Sequence, residues 1–283
     1  MTHAIEMEPR NGDYMMGRTE AEYERLRRQA RLLEPATRRV LESTGIGPGM
    51  SCVDIGCGPG EVMRLMGELV GPSGRVVGVD LDAPLGAQAL AMLRATGHST
   101  FEFIEGDASV MGEPPGGHFD LAYARLVLIH SQDPVHLLRR MYGWLRPGGC
   151  LVVQDFDLKG LNVESAGEAG REFRRVAVGV FEATGRDPEA GQNLPYYFRA
   201  AGLGAPDGTD VSGILSPMTV LARMMEDVFR SVLPHALRLS LTTEAGSEAL
   251  LADLARVGAR DDEWGRWPLL ISAWKRKDGH ASA

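Results

Sequence analysis

The middle of the chain alternates between short apolar runs and amphipathic segments. Short apolar runs bounded by turn residues are typical of buried strands, whereas apolar residues at helical spacing indicate helices. The predicted strands are 51–55, 75–79, 101–104, 119–124 and 150–156, and the predicted helices between them are 61–70, 84–95 and 134–145. Strands that alternate with helices predict a parallel sheet with right-handed crossovers and helices on both faces.

The residues before the first strand predict a helical arm. Thr19 can cap a helix, with Glu22 three residues later as a capping-box partner, and Tyr23 and Ala30 begin an apolar stripe at helical spacing. Proline has no backbone N–H and clashes with the preceding turn, so Pro35 is expected to break or kink this helix.

Beyond residue 157 the pattern becomes less regular. Helices are predicted over 171–183, 194–201, 218–233 and 244–257, and strands over 211–215 and 269–274. Because no convincing linker interrupts the chain, we expect one domain over residues 1–283. It would comprise a helical arm (1–45), a ligand-binding core (46–156), and a helical cover with the last strands (157–283).

Composition and charge exclude several classes of partner. The net charge of −8 argues against nucleic acid or an anionic membrane as the main partner, since both require basic surfaces. No apolar run is long enough to cross a membrane, and no signal peptide is visible. Three cysteines without a metal-binding spacing favour a reduced, cytoplasmic protein without a metal site.

The segment VDIGCGPGEV, at residues 53–62, carries the most specific chemistry. Gly56, Gly58 and Gly60 follow the first predicted strand directly, where glycine allows a tight turn and the close approach of a ligand to the backbone. The spacing differs from the dinucleotide pattern G-x-G-x-x-G and from the P-loop. Asp54 would repel a pyrophosphate but suits a ligand that carries an ammonium group.

Two further acids end the next two strands. Asp80, at the end of VVGVD, can accept hydrogen bonds from both hydroxyls of a ribose. Asp107, in FIEGDA, can accept one from an exocyclic amine such as that of adenine. The three acids together indicate an adenosine with a charged amino-acid arm and no phosphate.

These segments resemble the class I S-adenosylmethionine-dependent methyltransferases, in the order found in that family. VDIGCGPGEV resembles the glycine-rich signature, VVGVDLD the ribose-binding acid, and EGDA the adenine-binding strand end; FDLAYARLVLIHSQDP and LRPGGCLVVQDFD are similar to the fourth and fifth strands. The segment 17–41 looks like that of bacterial small-molecule methyltransferases, including those of natural-product pathways. The resemblance implies a Rossmann-like α/β fold, with a seven-stranded, mostly parallel sheet whose last strand is antiparallel.

The resemblance also implies site residues for S-adenosylmethionine, which would leave as S-adenosylhomocysteine. Asp54 would lie near the methionyl amino group, with the three glycines along its backbone. The remaining implied cofactor contacts are Asp80 and Leu81 for ribose and adenine, Asp107 and Ala108 for adenine, Ala124 and Arg125 beside the methionine arm, and Tyr14, Arg18 and Gln29 from the arm.

Candidates for catalysis are fewer. His130 follows the fourth strand, and histidine has the proton affinity of a general base near neutral pH, although family members carry a histidine here whatever their acceptor. Asp155 and Asp157, at the end of the fifth strand, either contact an acceptor or bind only water. A general base is needed only if the acceptor must lose a proton.

We therefore expect a methyltransferase that acts on oxygen, carbon or nitrogen of a small, hydrophobic secondary metabolite. The alternatives are a member of the fold that binds the sulfonium without transferring its methyl group, a nicotinamide-dependent oxidoreductase, and a protein or RNA methyltransferase. The glycine spacing and Asp54 oppose the oxidoreductase, and the acidic charge opposes the macromolecular acceptors. The amino-terminal helix either packs on its own domain or forms a homo-oligomer by packing on a neighbouring copy.

Overall fold

The computed structural model describes residues 20–96, 100–113 and 116–279. The strands are β1 Ser51–Ile55, β2 Arg75–Asp80, β3 Thr100–Glu105, β4 Phe119–Arg125, β5 Leu145–Asp157, β6 Gly208–Ser212, β7 Leu215–Pro217, β8 Trp264–Arg266 and β9 Leu269–Arg276. The helices are α1 Glu20–Ser43, α2 Glu61–Val70, α3 Ala83–Arg94, α4 Pro134–Gly143, α5 Gly167–Ala183, α6 Leu194–Ala200, α7 Met218–Arg238 and α8 Glu244–Gly258.

Seven of the described strands form one sheet in the order β3-β2-β1-β4-β5-β9-β6. The five strands from β3 to β5 are parallel, and β9 is antiparallel to both of its neighbours. This arrangement confirms the Rossmann-like sheet and its antiparallel last strand. The strand order reverses beside β1, and ligands of open α/β sheets bind at such a point, outside the carboxyl ends of the strands.

The core lies on both faces of this sheet. Val53 and Val77 belong to the apolar layer that packs against α4 to α7, whereas their neighbours Cys52 and Val76 belong to the layer under α1 and α2. Strand residues that are buried on both faces explain why β1, β2 and β4 are apolar runs rather than alternating ones.

The expected break at Pro35 is wrong, because α1 continues through it as one helix. Pro35 and Arg31 are both exposed, so the Arg31 carbonyl that loses its helical partner faces water. On the opposite side, Leu33 and Thr37 are fully buried and hold both halves of the helix on the core. The helix packs on its own chain, with ion pairs from Arg38 to α2 and from Arg28 to α7.

The boundary between α4 and β5 also differs from the prediction. Asp133 and Pro134 begin α4 as expected, with the Asp133 carboxylate accepting a hydrogen bond from the His136 N–H at 2.8 Å. The helix ends at Gly143, however, and β5 already begins at Leu145. The register between β4 and β5 shifts between Phe119 and Leu121, so residues 146–148 bulge into solvent before the predicted strand begins.

Within the described ranges, no helix is both long and apolar enough to cross a membrane. In the same part of the chain, no group of His, Cys, Asp or Glu side chains is arranged to hold a metal ion. The three cysteines are buried free thiols.

Candidate functional site

A cavity of about 610 Å³ lies outside the carboxyl ends of β1, β2 and β4. Its floor is formed by the strand ends and the glycine turn, and α1 closes it from above with Tyr23, Leu26 and Gln29. A further side, which we call the cover wall, is formed by α5, α7, residues 158–161, Arg186 and residues 267–268. Most of the residues predicted to bind a ligand therefore line one cavity.

The glycine turn has the conformation that its sequence predicts. Gly56, Gly58 and Gly60 all have positive φ, at 66°, 50° and 79°. A Cβ on Gly56 would lie 2.5 Å from Val127 Cγ2, whereas one on Gly58, which lines the cavity, would meet no atom within 4 Å. Gly60 does not line the cavity, because it begins α2 and packs on Ala89 of α3.

Asp54 is 2% exposed at the end of β1 and lines the cavity. Its Oδ2 accepts no hydrogen bond from any residue in the described part of the chain. Burial raises the pKa of this carboxyl to about 8, against a smaller lowering by Arg125 and together with a smaller raising by Asp80. A buried carboxyl oxygen that no protein group donates to can meet a cationic group of a ligand, which would favour the ionised form.

Asp80 organises the turn from the end of β2. Its Oδ2 accepts a hydrogen bond from the Gly58 N–H at 2.7 Å, and its Oδ1 accepts one from the Asp82 N–H at 3.0 Å. Burial raises the pKa of Asp80, while these backbone donors oppose the change. A carboxylate can accept about four hydrogen bonds, so both oxygens retain capacity for ligand hydroxyls. Leu81, the next residue, also lines the cavity.

The end of β3 places Asp107 and Ala108 on the same cavity. The Asp107 side chain accepts a hydrogen bond from the Ser109 N–H at 2.8 Å, which closes a local turn. This turn fixes the position at which the remaining lone pairs of the Asp107 carboxylate and the backbone of Ala108 face the cavity.

Of the two residues at the end of β4 that were predicted to contact the cofactor, only one lines the cavity. Ala124 is fully buried in the core and does not line the cavity. Arg125 does line it, and its Nη1 donates to Thr37 Oγ1 of α1 at 3.0 Å. Leu126 follows with φ of 58°, a conformation that costs a non-glycine residue about 1–2 kcal/mol and that sequence reasoning did not indicate.

His130 lies at the end of a short 3₁₀ turn and lines the cavity. Burial, and then the charges of Arg186 and Arg25, lower the pKa of His130 to about 3. Asp155 holds this turn by accepting a hydrogen bond from the Ile129 N–H at 3.1 Å, and Arg186 Nε donates to the His130 carbonyl at 2.9 Å. Asp155 and Asp157 do not line the cavity.

The part of α1 that closes the cavity from above, which we call the roof, contains a buried ionic network that the sequence did not reveal. Glu22 pairs with Arg25 at 2.5 Å, with both side chains 4% exposed. Arg25 Nη1 also donates to Gln29 Oε1 at 2.6 Å, and Ser231 of α7 donates to Glu22 at 2.7 Å. Gln29 therefore lines the cavity in a fixed orientation. Tyr14, Arg18 and Thr19 lie outside the described residues.

The cover wall is apolar apart from two arginines, Arg174 and Arg186. Its apolar members that line the cavity are Leu158, Leu161, Phe173, Ala177, Val178, Phe181, Leu221, Met224, Met225, Val228, Trp267 and Pro268. Met224 and Met225 of α7 thus serve both as core residues and as cavity wall. Neither arginine was expected at the site, although Arg174 adjoins the apolar stripe of α5 at positions 173 and 177.

The residues of the floor fit S-adenosylmethionine. The oxygen of Asp54 that lacks a donor matches the methionyl ammonium, and Asp80 can accept from the ribose hydroxyls. Gly58 lines the cavity and has open space at its Cβ position, which leaves room for a ligand to approach the backbone.

Comparison with known proteins agrees with this geometry. A family model described as a methyltransferase domain matches residues 23–204, more than half of the chain. The chain is 34% identical over 121 residues to phosphoethanolamine N-methyltransferase 1 of Arabidopsis thaliana, covering 42% of this chain and 24% of the relative. It is also 34% identical over 125 residues to a ubiquinone/menaquinone biosynthesis C-methyltransferase of Pseudomonas savastanoi pv. phaseolicola, covering 42% and 46%.

A solved structure shows the same fold. Phosphoethanolamine N-methyltransferase 2 of Haemonchus contortus, in complex with phosphomonomethylethanolamine and S-adenosylhomocysteine, superposes with a TM-score of 0.54 at 18% identity. The match covers 86% of this chain and 52% of that one. The chain spans less than half the length of the curated relatives named above. The family model matches more than half of the chain, and the matched residues contain the glycine turn and the acids Asp54, Asp80 and Asp107. The chain therefore belongs to the class I S-adenosylmethionine-dependent methyltransferases.

Proposed function

We propose that the protein transfers a methyl group from S-adenosylmethionine to a small secondary metabolite with a largely hydrophobic body. The observation that carries this proposal is the division of one cavity into an acidic floor and an apolar cover wall. The floor suits a cationic adenosine ligand, and the cover wall leaves a place beside it for an apolar acceptor.

The bound cofactor would supply a methyl group on a sulfonium, which is already a good leaving group. The chain's own residues would then have to orient the acceptor and exclude water. Asp54 would hold the ammonium, and Asp80 would hold the ribose. The helix α1 closes the cavity over both, tied to β4 through Arg125 and Thr37 and to α7 through Glu22 and Ser231.

His130 would lie on the acceptor side of this arrangement. With its pKa lowered to about 3, its ring is neutral at physiological pH and too weakly basic to take a proton efficiently there. We therefore assign His130 an orienting role, as a hydrogen-bonding group toward the acceptor. This role is compatible with methylation of oxygen, nitrogen or carbon.

The names of the relatives suggest two acceptor classes, phosphoethanolamine and quinones. The apolar cover wall favours a quinone-like or other hydrophobic body over a small polar one. A homo-oligomer through the amino-terminal helix stays a prediction, as does a cytoplasmic location, which the three free thiols support.

A labelling experiment tests the proposal. The protein is incubated with S-adenosylmethionine that carries a heavy methyl group and with a small-molecule extract of the source organism, and products are sought by mass spectrometry. We expect one or more small molecules that gain the label. Label in protein or RNA instead would favour a macromolecular acceptor. No label in any fraction, with the cofactor bound, would favour a use of the fold without transfer.

A further inference from the structure

The acidic residues that line the cavity and the arginines of the cover wall lie in different parts of the cavity. The carboxylates come from the strand ends, from the first turn of α2 and from the start of α4: Asp54, Glu61, Asp80, Asp82, Asp107 and Asp133. Among the described residues of the cover wall, no carboxylate lines the cavity, and the two charged side chains there are Arg174 and Arg186. The cover wall is therefore both apolar and positively charged.

Arg174 is the less constrained of these two cations. Its Nη1 donates to the Leu161 carbonyl at 3.1 Å, which fixes one edge of the guanidinium within the wall. Among the described residues, no carboxylate lies within ion-pair distance of this half-buried side chain. The next arginine on the helix, Arg175, is bound by Glu172 at 2.7 Å on the outer surface. A guanidinium beside an apolar surface is stabilised by a bidentate oxyanion.

A second cation, Arg186, extends the positive charge around the same cavity. Arg186 is 9% exposed. Its Nε donates to the His130 carbonyl at 2.9 Å, and its Nη1 donates to the Thr184 carbonyl at 3.4 Å. Arg25 is largely neutralised by Glu22 in the roof. Burial lowers the pKa of His130 most, and the charges of Arg186 and Arg25 lower it further.

We infer that the acceptor carries an anionic oxygen group on its apolar body, and that Arg174 binds this group from the cover wall. The inference rests on the proposed function, because it places the anion beside the cofactor floor. The carboxylate of an apolar acid would replace water on Arg174 while the rest of the molecule packs on residues such as Phe173 and Phe181. Arg174 thereby becomes a specificity-determining residue for the acceptor.

The test uses matched probes on the full-length protein saturated with S-adenosylhomocysteine. We would measure by calorimetry the binding of 2-naphthoate and of its neutral amide, 2-naphthamide, and in parallel of decanoate and decanamide. Inorganic phosphate serves as an anion without an apolar body. The variants are Arg174→Gln and Arg174→Lys, and the matched control is Arg171→Gln, an exposed arginine on the same helix.

In the unmodified protein we expect at least one carboxylate to bind tenfold or more tightly than its amide, with no measurable binding of phosphate at the same site. Arg174→Gln should abolish the preference, Arg174→Lys should retain part of it, and Arg171→Gln should keep all of it. Equal binding of acid and amide, binding of neither, or a preference that survives Arg174→Gln would overturn the inference. The affinity for S-adenosylhomocysteine, measured on each preparation, reports separately on the proposed function and on folding.

Discussion

The Tyr23 hydroxyl on α1 lies 2.9 and 3.1 Å from the two carboxylate oxygens of Asp82, and it donates its hydrogen bond to this carboxylate. Asp82 also caps α3 by accepting from the Leu85 N–H at 3.0 Å. Because both residues line the cavity beside Asp80, this contact joins the roof to the ribose side of the floor. The amino-terminal helix is thus attached to the element that would hold the cofactor.

Replacing Tyr23 with phenylalanine should loosen this attachment while keeping the ring in the core. We expect a loss of about 1–3 kcal/mol in the free energy of unfolding, because a buried hydrogen bond to a carboxylate is removed. S-adenosylhomocysteine should also dissociate faster, since the roof opens more readily. Stopped-flow dissociation and chemical denaturation measure the two effects. An unchanged dissociation rate would mean that α1 does not retain the ligand.

The raised pKa of Asp54 predicts how the stability of the ligand-free protein depends on pH. The folded-state pKa of about 8 exceeds the unfolded value near 4, so the folded state binds an extra proton between these values. Stability from this group is therefore complete below about pH 4 and falls as the pH rises toward 8, by at most about 1.4 kcal/mol per pH unit. Asp54→Asn should flatten this dependence in denaturation curves. A wild-type slope retained in the variant would contradict the assignment.

The same carboxyl predicts a proton release on cofactor binding. The methionyl ammonium would favour the ionised form of Asp54 and lower its pKa, so binding near pH 7 should release up to one proton. Calorimetry in two buffers with different ionisation enthalpies measures that number. We expect the release to disappear in Asp54→Asn, together with a loss of affinity of tenfold or more. Release that is unchanged in the variant would assign the proton to another group.

Two substitutions in the glycine turn should separate a loss of stability from a loss of cofactor binding. Gly56→Ala would place a Cβ 2.5 Å from Val127 at positive φ, so we expect destabilisation of about 1–3 kcal/mol. Gly58→Ala meets no atom within 4 Å and should cost only about 1 kcal/mol of strain while weakening cofactor binding. Thermal unfolding and ligand titration distinguish the two.

The control for this pair is Gly47→Ala, since Gly47 has open space around its Cβ position and no positive φ. This variant should change neither property measurably. If Gly58→Ala bound the cofactor as tightly as the Gly47 control does, the glycine turn would not be the place where the ligand approaches the backbone.

His130 should be dispensable for cofactor binding. Its position at the end of the 3₁₀ turn, beside Phe181 with ring centroids 5.5 Å apart, places it toward the cover wall. We expect His130→Ala to bind S-adenosylhomocysteine within about twofold of the wild type and to lose affinity for the acceptor. Because its pKa is about 3, the rate should show no inflection from this residue between pH 5 and 8. A total loss of cofactor binding would contradict the acceptor-side placement.

The strands and the ligand floor were predictable because each depends on local sequence. Buried parallel strands such as β1 require continuous apolar runs, and the turn that follows requires glycines with positive φ. Whether Pro35 ends the helix depends on which helix face meets solvent, which only the packing of α1 reveals. Arg174 was missed for a similar reason, since nothing in its immediate sequence distinguishes an arginine that faces a cavity from one on the outer surface.

We expect the acidic floor to bind an adenosine with a cationic amino-acid arm. Calorimetric titration of S-adenosylhomocysteine and of NADH into the wild-type protein and into Asp80→Ala tests it most directly. We expect saturable binding of S-adenosylhomocysteine with one site per chain, a loss of affinity of at least tenfold in Asp80→Ala, and no measurable binding of NADH. Binding of NADH in preference to S-adenosylhomocysteine, or no binding of S-adenosylhomocysteine by the folded wild type, would contradict it.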